Sequence, residues 1–494
     1  MLFNSLDYLL FYPVVLLFYF LIPRRFRYIW LLAASYYFYG CWSVKYALLM
    51  LISTLITFVS GLLIQRSRDK QRPGLAKLCV AGSFIINLAI LGFFKYSNFL
   101  IENLNALLIF LGQGKQVGAV PGLIPVVGIS FYTFQALSYT MDVYRQDVPT
   151  EKNVFQYALF VSFFPQLVAG PIERTGNLLS QLKEPQKFTV ENARGGLLLI
   201  AWGLFIKVVL ADNLARIVNP VYANYTAYSG VEIILATFAF AFQVYGDFAG
   251  YSYIARGSAE ILGVSLMENF RCPYLAVSVA DFWRRWHISL TTWFKDYLYV
   301  PLGGNRKGTL RKYVNTMIVF IVSGFWHGAN WTFVLWGMMN GGLIILGEAA
   351  RTLRRKAVAA FHINTESFSY TLCRRMLTFL LINFTWIFFR AKTLADAWGM
   401  LQKIFLDTRL PKLFSLSIFN IAINAQVTVV ALTSMMILLF VDARKNRGHQ
   451  VRQWVLEQGA PVRYGIYLGL MFAIILFGAF GNAQIQTQFI YFQF

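Results

Sequence analysis

The sequence predicts an all-α polytopic membrane protein, and three observations carry that reading. Of its 494 residues, 57% are hydrophobic and only 13% are charged, where soluble domains are nearer half apolar and a quarter charged. Apolar runs approaching the roughly 20 residues that cross a bilayer as a helix recur from end to end. The basic residues collect in short links between those runs: Arg24, Arg25 and Arg27; Arg66, Arg68, Lys70 and Arg72; Arg351, Arg354, Arg355 and Lys356; Arg444, Lys445 and Arg447. A formal net charge of +22 can signal nucleic acid, but this placement is the positive-inside pattern of cytoplasmic loops. No nucleic-acid partner is expected, membrane lipid is, and a soluble multidomain enzyme is excluded.

Candidate spans are residues 9–22, 28–41, 47–64, 78–94, 122–141, 196–211, 231–248, 314–326, 331–346, 376–389, 422–441 and 464–480. That makes about eleven or twelve transmembrane helices. The first run has no basic region before it and no small-residue cleavage site after it, so it reads as an uncleaved span that starts outside. Alternating from there puts every strongly basic link on the cytoplasmic side, and both termini outside. Two regions resist simple spanning. Residues 154–173, "VFQYALFVSFFPQLVAGPIE", are apolar but broken by Pro165 and Pro171, and residues 247–305 mix aromatics, charges and prolines. Irregular backbone at membrane depth is tolerated only where protein buries it or it lines a wet cavity, so re-entrant or interfacial helices and a site are expected there. With no tandem repeat or heptad run, residues 1–494 read as a single integral domain.

Cys41, Cys79, Cys272 and Cys373 are scattered, with neither disulfide nor metal spacing. Of the four histidines, His362 and His449 sit in polar or basic links as solvated loop residues. His327 stands in "SGFWHGANWTFVLWG", joining two apolar segments, the first of them short for a crossing. An intramembrane ionisable residue is a functional candidate by default, although a neutral histidine bonding between helices has the same sequence. Gly324 and Gly328 would let another chain or a substrate approach the backbone closely. His287 stands in "DFWRRWHISLTTWF". Read as one helix, Trp283, Trp286, His287, Leu290 and Phe294 share a face and Arg284, Arg285 and Lys295 lie off it. Such an amphipathic helix suits the cytoplasmic interface, with His287 either functional or a packed core histidine. Downstream, "YVPLGGNRKGTLRK" offers a glycine pair followed by Asn305, Arg306, Lys307 and Arg311, which suits phosphate and equally a basic cytoplasmic turn.

There is no GxSxG elbow, no phosphate-binding P-loop, no HExxH and no carboxylate cage, so no metal is expected. A neutral imidazole near its ordinary pKa of about 6.5 can accept a proton from a hydroxyl. A thioester is already activated, so hydroxyl plus thioester needs little beyond a base, alignment and oxyanion donors. The residues permit acyl transfer without proving it.

The run "DFAGYSYIARGSAEILGVSLMENFRCPYLAVSVADFWRRWHISLTTWFKDYLYVPLGGNR", followed by "SGFWHGANWTFVLWG", resembles the membrane-bound O-acyltransferases, in particular the bacterial alginate O-acetyltransferase-like branch. "GISFYTFQALSYTMDVYR", "FFPQLVAGPIER", "NFTWIFFRA" and the opening "MLFNSLDYLLFYPVVLLFYFLIP" match as well. The resemblance implies helices around a central tunnel in the inner (cytoplasmic) membrane: N-terminal helices over 1–121, a catalytic core over 122–391 and C-terminal helices over 392–494. It implies that His327 is the catalytic histidine and that His287 fills the second family position, which is His or Asn in different members. It implies acetyl-CoA as donor, docking from the cytoplasm near Arg306, Lys307 and Arg311 with Trp283 and Trp286. The acceptor it implies is an extracytoplasmic polysaccharide or a serine-esterase-like partner transferase. The D-alanyl branch, fed by an acyl carrier protein, usually lacks the glycine pair of "YVPLGGNR". Tyr253 departs from the pattern, since many relatives have Asp there. The remaining rivals are a polysaccharide or lipid transporter, against which stands the lack of inverted broken repeats, and a palmitoyl-type transferase.

Overall fold

The computed structural model describes residues 1–114, 116–121, 126–168, 170–184, 186–414 and 425–480. Among these, regular structure is helical throughout. Each of the twelve candidate segments coincides with a helix over most of its described length, residues 126–128 and 478–480 being non-helical, while residues 122–125 and 422–424 lie outside the described residues. Among the described residues, eight helices are long and apolar enough to cross a membrane: Val44–Asp69, Pro73–Phe110, Val190–Ala223, Gly230–Ile261, Trp331–Ala349, Phe368–Arg390, Ala425–Asn446 and Ala460–Phe477. The other segments form helices that are shorter or more polar, among them Leu6–Leu21, Arg27–Gly40, Ile129–Arg145 and Thr309–His327. The protein is a multi-pass membrane protein.

Contacts divide the chain into two compact units. The first comprises Met1–Ile200 and Ile254–Met267, and the second Ala201–Tyr253 and Glu268–Gln493. In the first, residues 154–173 break as their prolines require. Helix Val154–Ser162 is capped by the Asn153 side chain, one turn follows at Phe164–Leu167, and residues 170–173 are not helical. Backbone freed by the break is satisfied locally. The Gln135 and Gln166 amides donate to Phe160 O at 2.6 and 3.2 Å, as polar backbone in an apolar surrounding demands.

The helix beginning at Gly230 runs on to Ile261, thirteen residues past the sequence boundary at 248. Protein covers 83% of its most apolar window, so polar residues such as Asp247 and Ser252 are buried against neighbours and need not end it. The irregular region therefore begins at 262. Helices Thr309–His327 and Trp331–Ala349 form a tight pair in which Gly324 and Gly337 face each other. A methyl group built on Gly324 would come within 2.2 Å of Phe333 O, and one on Gly337 within 2.2 Å of Phe320 O. These glycines serve a small-residue helix crossing. Gly328 is likewise covered, by the Phe333 ring. The close approach expected at Gly324 and Gly328 is thus made by the neighbouring helix, and not by a substrate. Thr309–His327 has 19 residues, about 28 Å at 1.5 Å per residue, so it is not the short segment that the sequence suggested.

Candidate active site

The site lies wholly in the second unit. His327 is the last residue of Thr309–His327 and is 3% exposed. Asn330 caps the following helix by accepting from Thr332 N at 2.9 Å, so the hairpin turns within three residues and delivers the histidine into its own seam. Aromatic rings enclose it: Trp326 at 5.0 Å, Trp336 at 5.2 Å and Phe389 at 5.5 Å, each near edge-on.

His287 departs from the sequence expectation. The segment "DFWRRWHISLTTWF" is not one helix; it is Val279–Arg285 followed by Ile288–Phe294, with His287 between them at φ 44° and ψ 54°. That left-handed conformation is uncommon outside glycine and asparagine, and a strand of loop holds it in place. Ile288 N donates to Asn269 O at 2.9 Å and Arg271 N to Arg285 O at 2.9 Å, replacing the helical bonds that the break removes. The Asn269 side chain accepts from Ser289 N at 3.2 Å and Ser289 Oγ at 2.7 Å, and lies 3.4 Å from His287 Nδ1. Its amide nitrogen donates to Ser252 Oγ at 3.1 Å. Nothing in the pattern of "MENFRCPY" marks Asn269, because its partners lie on other segments.

The break also alters the geometry of the pair. The His287 and His327 rings stand with centroids 6.5 Å apart, so the two histidines share one centre. They are too far apart for a direct hydrogen bond and near enough that one small reacting group touches both. The buried stripe survives in part: Trp286 packs on Phe282 and Trp386, both at 5.3 Å, and Trp283 Nε1 donates to Asn340 Oδ1 at 3.1 Å. These tryptophans wall the centre. Trp336, Phe389 and Asn340, which also build it, sat unremarked inside apolar spans.

A cavity of about 930 Å³ reaches Ile288, the residue after His287, and its lining includes Arg271, Arg284, Arg285, Lys295 and Lys445 but neither histidine. Five cations line it against two carboxylates, Glu268 and Asp281. Asp281 pairs with Arg284 and Arg285 at 3.3 and 3.1 Å, and Glu268 with Arg271 at 3.1 Å. Lys445 donates to Tyr253 Oη at 3.2 Å, and the buried Asp442 carboxylate also interacts with it. Arg306, Lys307 and Arg311 line a different place. They are exposed in a turn whose Gly303 and Gly304 take φ of 103° and 56°, and in the first turn of the next helix. Sixteen residues separate Arg311 from His327, about 24 Å along the axis. His362 and His449 are exposed, as loop residues would be.

Known proteins bear on this arrangement. The family model of MBOAT, the membrane-bound O-acyltransferase family, matches residues 16–391. The chain belongs to this family. It is 37% identical over 406 residues to the probable alginate O-acetylase of Azotobacter vinelandii, covering 82% of this chain and 78% of that one. To the peptidoglycan O-acetyltransferase of Helicobacter pylori it is 36% identical over 423 residues, 79% and 77% of the two chains. The teichoic acid D-alanyltransferase of Bacillus subtilis is more distant, 27% identical over 236 residues, 45% and 58% of the two chains.

In this O-acyltransferase the two histidines, their aromatic walls and Asn269 fall inside the matched stretch, whereas Lys445 comes from Ala425–Asn446 beyond it. Among the described residues no three of His, Cys, Asp and Glu stand together as a metal site. Burial lowers the pKa of His287 to about 3 from about 6.5 in an unfolded chain. The folded state thus binds fewer protons than the unfolded one between those values. Stability from this group is full above pH 6.5 and is lost as pH falls toward 3, by up to about 1.4 kcal/mol per unit. The thermal midpoint in detergent should therefore drop between pH 6.5 and 4, and His287→Asn, which does not titrate, should flatten that slope. An unchanged slope would show that His287 titrates normally.

Proposed function

We propose that this O-acyltransferase takes an acetyl group from cytoplasmic acetyl-CoA and passes it across the inner membrane to a hydroxyl outside. The acceptor is a polysaccharide hydroxyl or that of a serine-esterase-like partner transferase. The observation that carries the reading is the buried pair His287–His327 with a cation-rich cavity that reaches Ile288, the next residue along the chain from His287. Phosphates of the donor suit that cavity, and the imidazole pair suits the hydroxyl and the thioester. His327 accepts the hydroxyl proton as the oxygen attacks the thioester carbonyl. The tetrahedral intermediate then collapses, the C–S bond breaks, and the departing thiolate recovers a proton from His327. His287 orients the reacting groups, and the aromatic walls keep water from hydrolysing the donor.

Sidedness follows from charge. Lys445 and Asn446 of the cavity wall belong to a basic link, and basic links face the cytoplasm, which leaves the N-terminus outside. CoA cannot cross cheaply, since burying charge in a bilayer costs several kcal/mol. The acetylating relatives, at 36–37% identity over about four fifths of the chain, favour acetyl over D-alanyl transfer from a carrier protein.

In oriented vesicles, labelled acetyl-CoA should be consumed only from the cytoplasmic face and acceptor only from the other. Reaction with both on one face would overturn the through-membrane path. Use of a D-alanyl carrier instead would overturn the donor. In the same assay, replacing Lys295 and Lys445 by Gln should raise the KM for acetyl-CoA more than it lowers kcat, because such charges bind ground and transition states alike. Replacing Arg306 and Lys307 tests whether the exposed turn adds to donor capture in the same way.

A further inference from the structure

We propose that Asn269 sets the tautomer of His287, holding the proton on Nδ1 and the lone pair on Nε2. The argument begins with a group that has no choice. The backbone N–H of Ser289 can only donate, and it lies 3.2 Å from the Asn269 side chain, so the atom it meets is the amide oxygen. The amide nitrogen is accounted for on its other side by Ser252 Oγ at 3.1 Å. The orientation of the Asn269 amide is therefore fixed by its neighbours.

His287 Nδ1 faces that same oxygen at 3.4 Å and the Ser289 hydroxyl at 3.5 Å. The hydroxyl spends its proton on Asn269 Oδ1 at 2.7 Å, so it turns a lone pair toward the ring. Two acceptors thus converge on Nδ1, and only a protonated Nδ1 is stable between them. In a neutral imidazole one nitrogen donates and the other accepts, which leaves Nε2 as the accepting atom. Every partner is nearly fully buried: Asn269 and His287 are 1% exposed and Ser289 is 0%. Water therefore cannot easily substitute for a lost bond, and an unmatched tautomer would carry the full desolvation penalty.

Asn269 is a positioning residue, acting on the reaction through His287. The backbone pairing of Ile288 N with Asn269 O at 2.9 Å joins this task to the left-handed turn, so one residue sets both ring placement and protonation. The kinetic consequence rests on His287 serving the acyl transfer proposed above; the tautomer itself does not.

The test uses the full-length protein in nanodiscs with ¹⁵N-labelled histidine, the His287 signals being identified by their loss in His287→Asn. Without any substrate, the wild type should show a protonated Nδ1 and a lone-pair Nε2. The reverse assignment would overturn the proposal whether or not the chain transfers acetyl groups. Asn269→Ala should give a mixture of tautomers and lower kcat by about 10- to 100-fold, as loss of a partner that orients a functional imidazole does elsewhere, with KM changed less than threefold. Asn269→Asp keeps an acceptor facing Nδ1 and Ser289 N, and should restore the wild-type tautomer and most of kcat. A wild-type tautomer in the alanine variant, or an aspartate variant no better than alanine in both readouts, would show that Asn269 only fills space.

Discussion

Replacing His327 by alanine should abolish acyl transfer, lowering kcat by about two to four orders of magnitude, the usual worth of a positioned general base. The ring is 3% exposed and sits among Trp326, Trp336, Phe389 and His287. The other imidazole of the centre, His287, stands 6.5 Å away, ring centroid to ring centroid. The fold should tolerate the change. The helix crossing beside it is built on Gly324 and Gly337, and the cap of the next helix on Asn330, neither of which uses the imidazole. The variant should therefore insert and elute as a single species, with a thermal midpoint within a few degrees of wild type. Turnover close to wild type in that folded variant would remove His327 from the mechanism.

At His287 the choice of substitution should matter as much as the loss of the ring. His287→Ala should lower kcat by about two orders of magnitude or more, and His287→Asn should retain at least about tenfold more activity than alanine. Two physical reasons favour asparagine. Its amide can still donate to Asn269 Oδ1, which lies 3.4 Å from Nδ1. It also tolerates the left-handed backbone at φ 44° better than alanine, because its short polar side chain can hydrogen-bond locally. Activity below wild type is expected as well, since asparagine has no atom where Nε2 stands. Equal and complete loss in both variants would make His287 an obligatory proton acceptor, and not an orienting group.

The two histidines differ in how far the sequence disclosed them. His327 was legible because an ionisable residue in so apolar a run has few bland explanations, and the motif around it resembles a family pattern. His287 was legible as a residue and misread as a structure. Spacings of three and four predict a continuous helix over 281–294, yet the chain breaks at 286–287 because Asn269 and Arg271 offer backbone partners from a loop some fifteen residues away. Periodicity reports only what a segment prefers alone, and tertiary hydrogen bonds outweighed that preference here. The donor side shows a related difference. The sequence singled out Arg306, Lys307 and Arg311 because they adjoin a glycine pair. The cavity that reaches Ile288 gathers Arg271, Arg284, Lys295 and Lys445 from positions spread over more than 170 residues.

By itself, then, the sequence determined the properties that depend on composition and short-range pattern. These are the helical membrane fold, the twelve apolar segments, the broken region at 154–173 and both histidines as candidates, since the bilayer acts on each apolar run independently. Only the tertiary structure decided what depends on distant segments meeting. It brought His287 to 6.5 Å from His327, gave Gly324 to a helix crossing, and set Asn269 against the imidazole. The physical reason is that such contacts are made by side chains far apart in the chain, and no local spacing encodes which of them will share a centre.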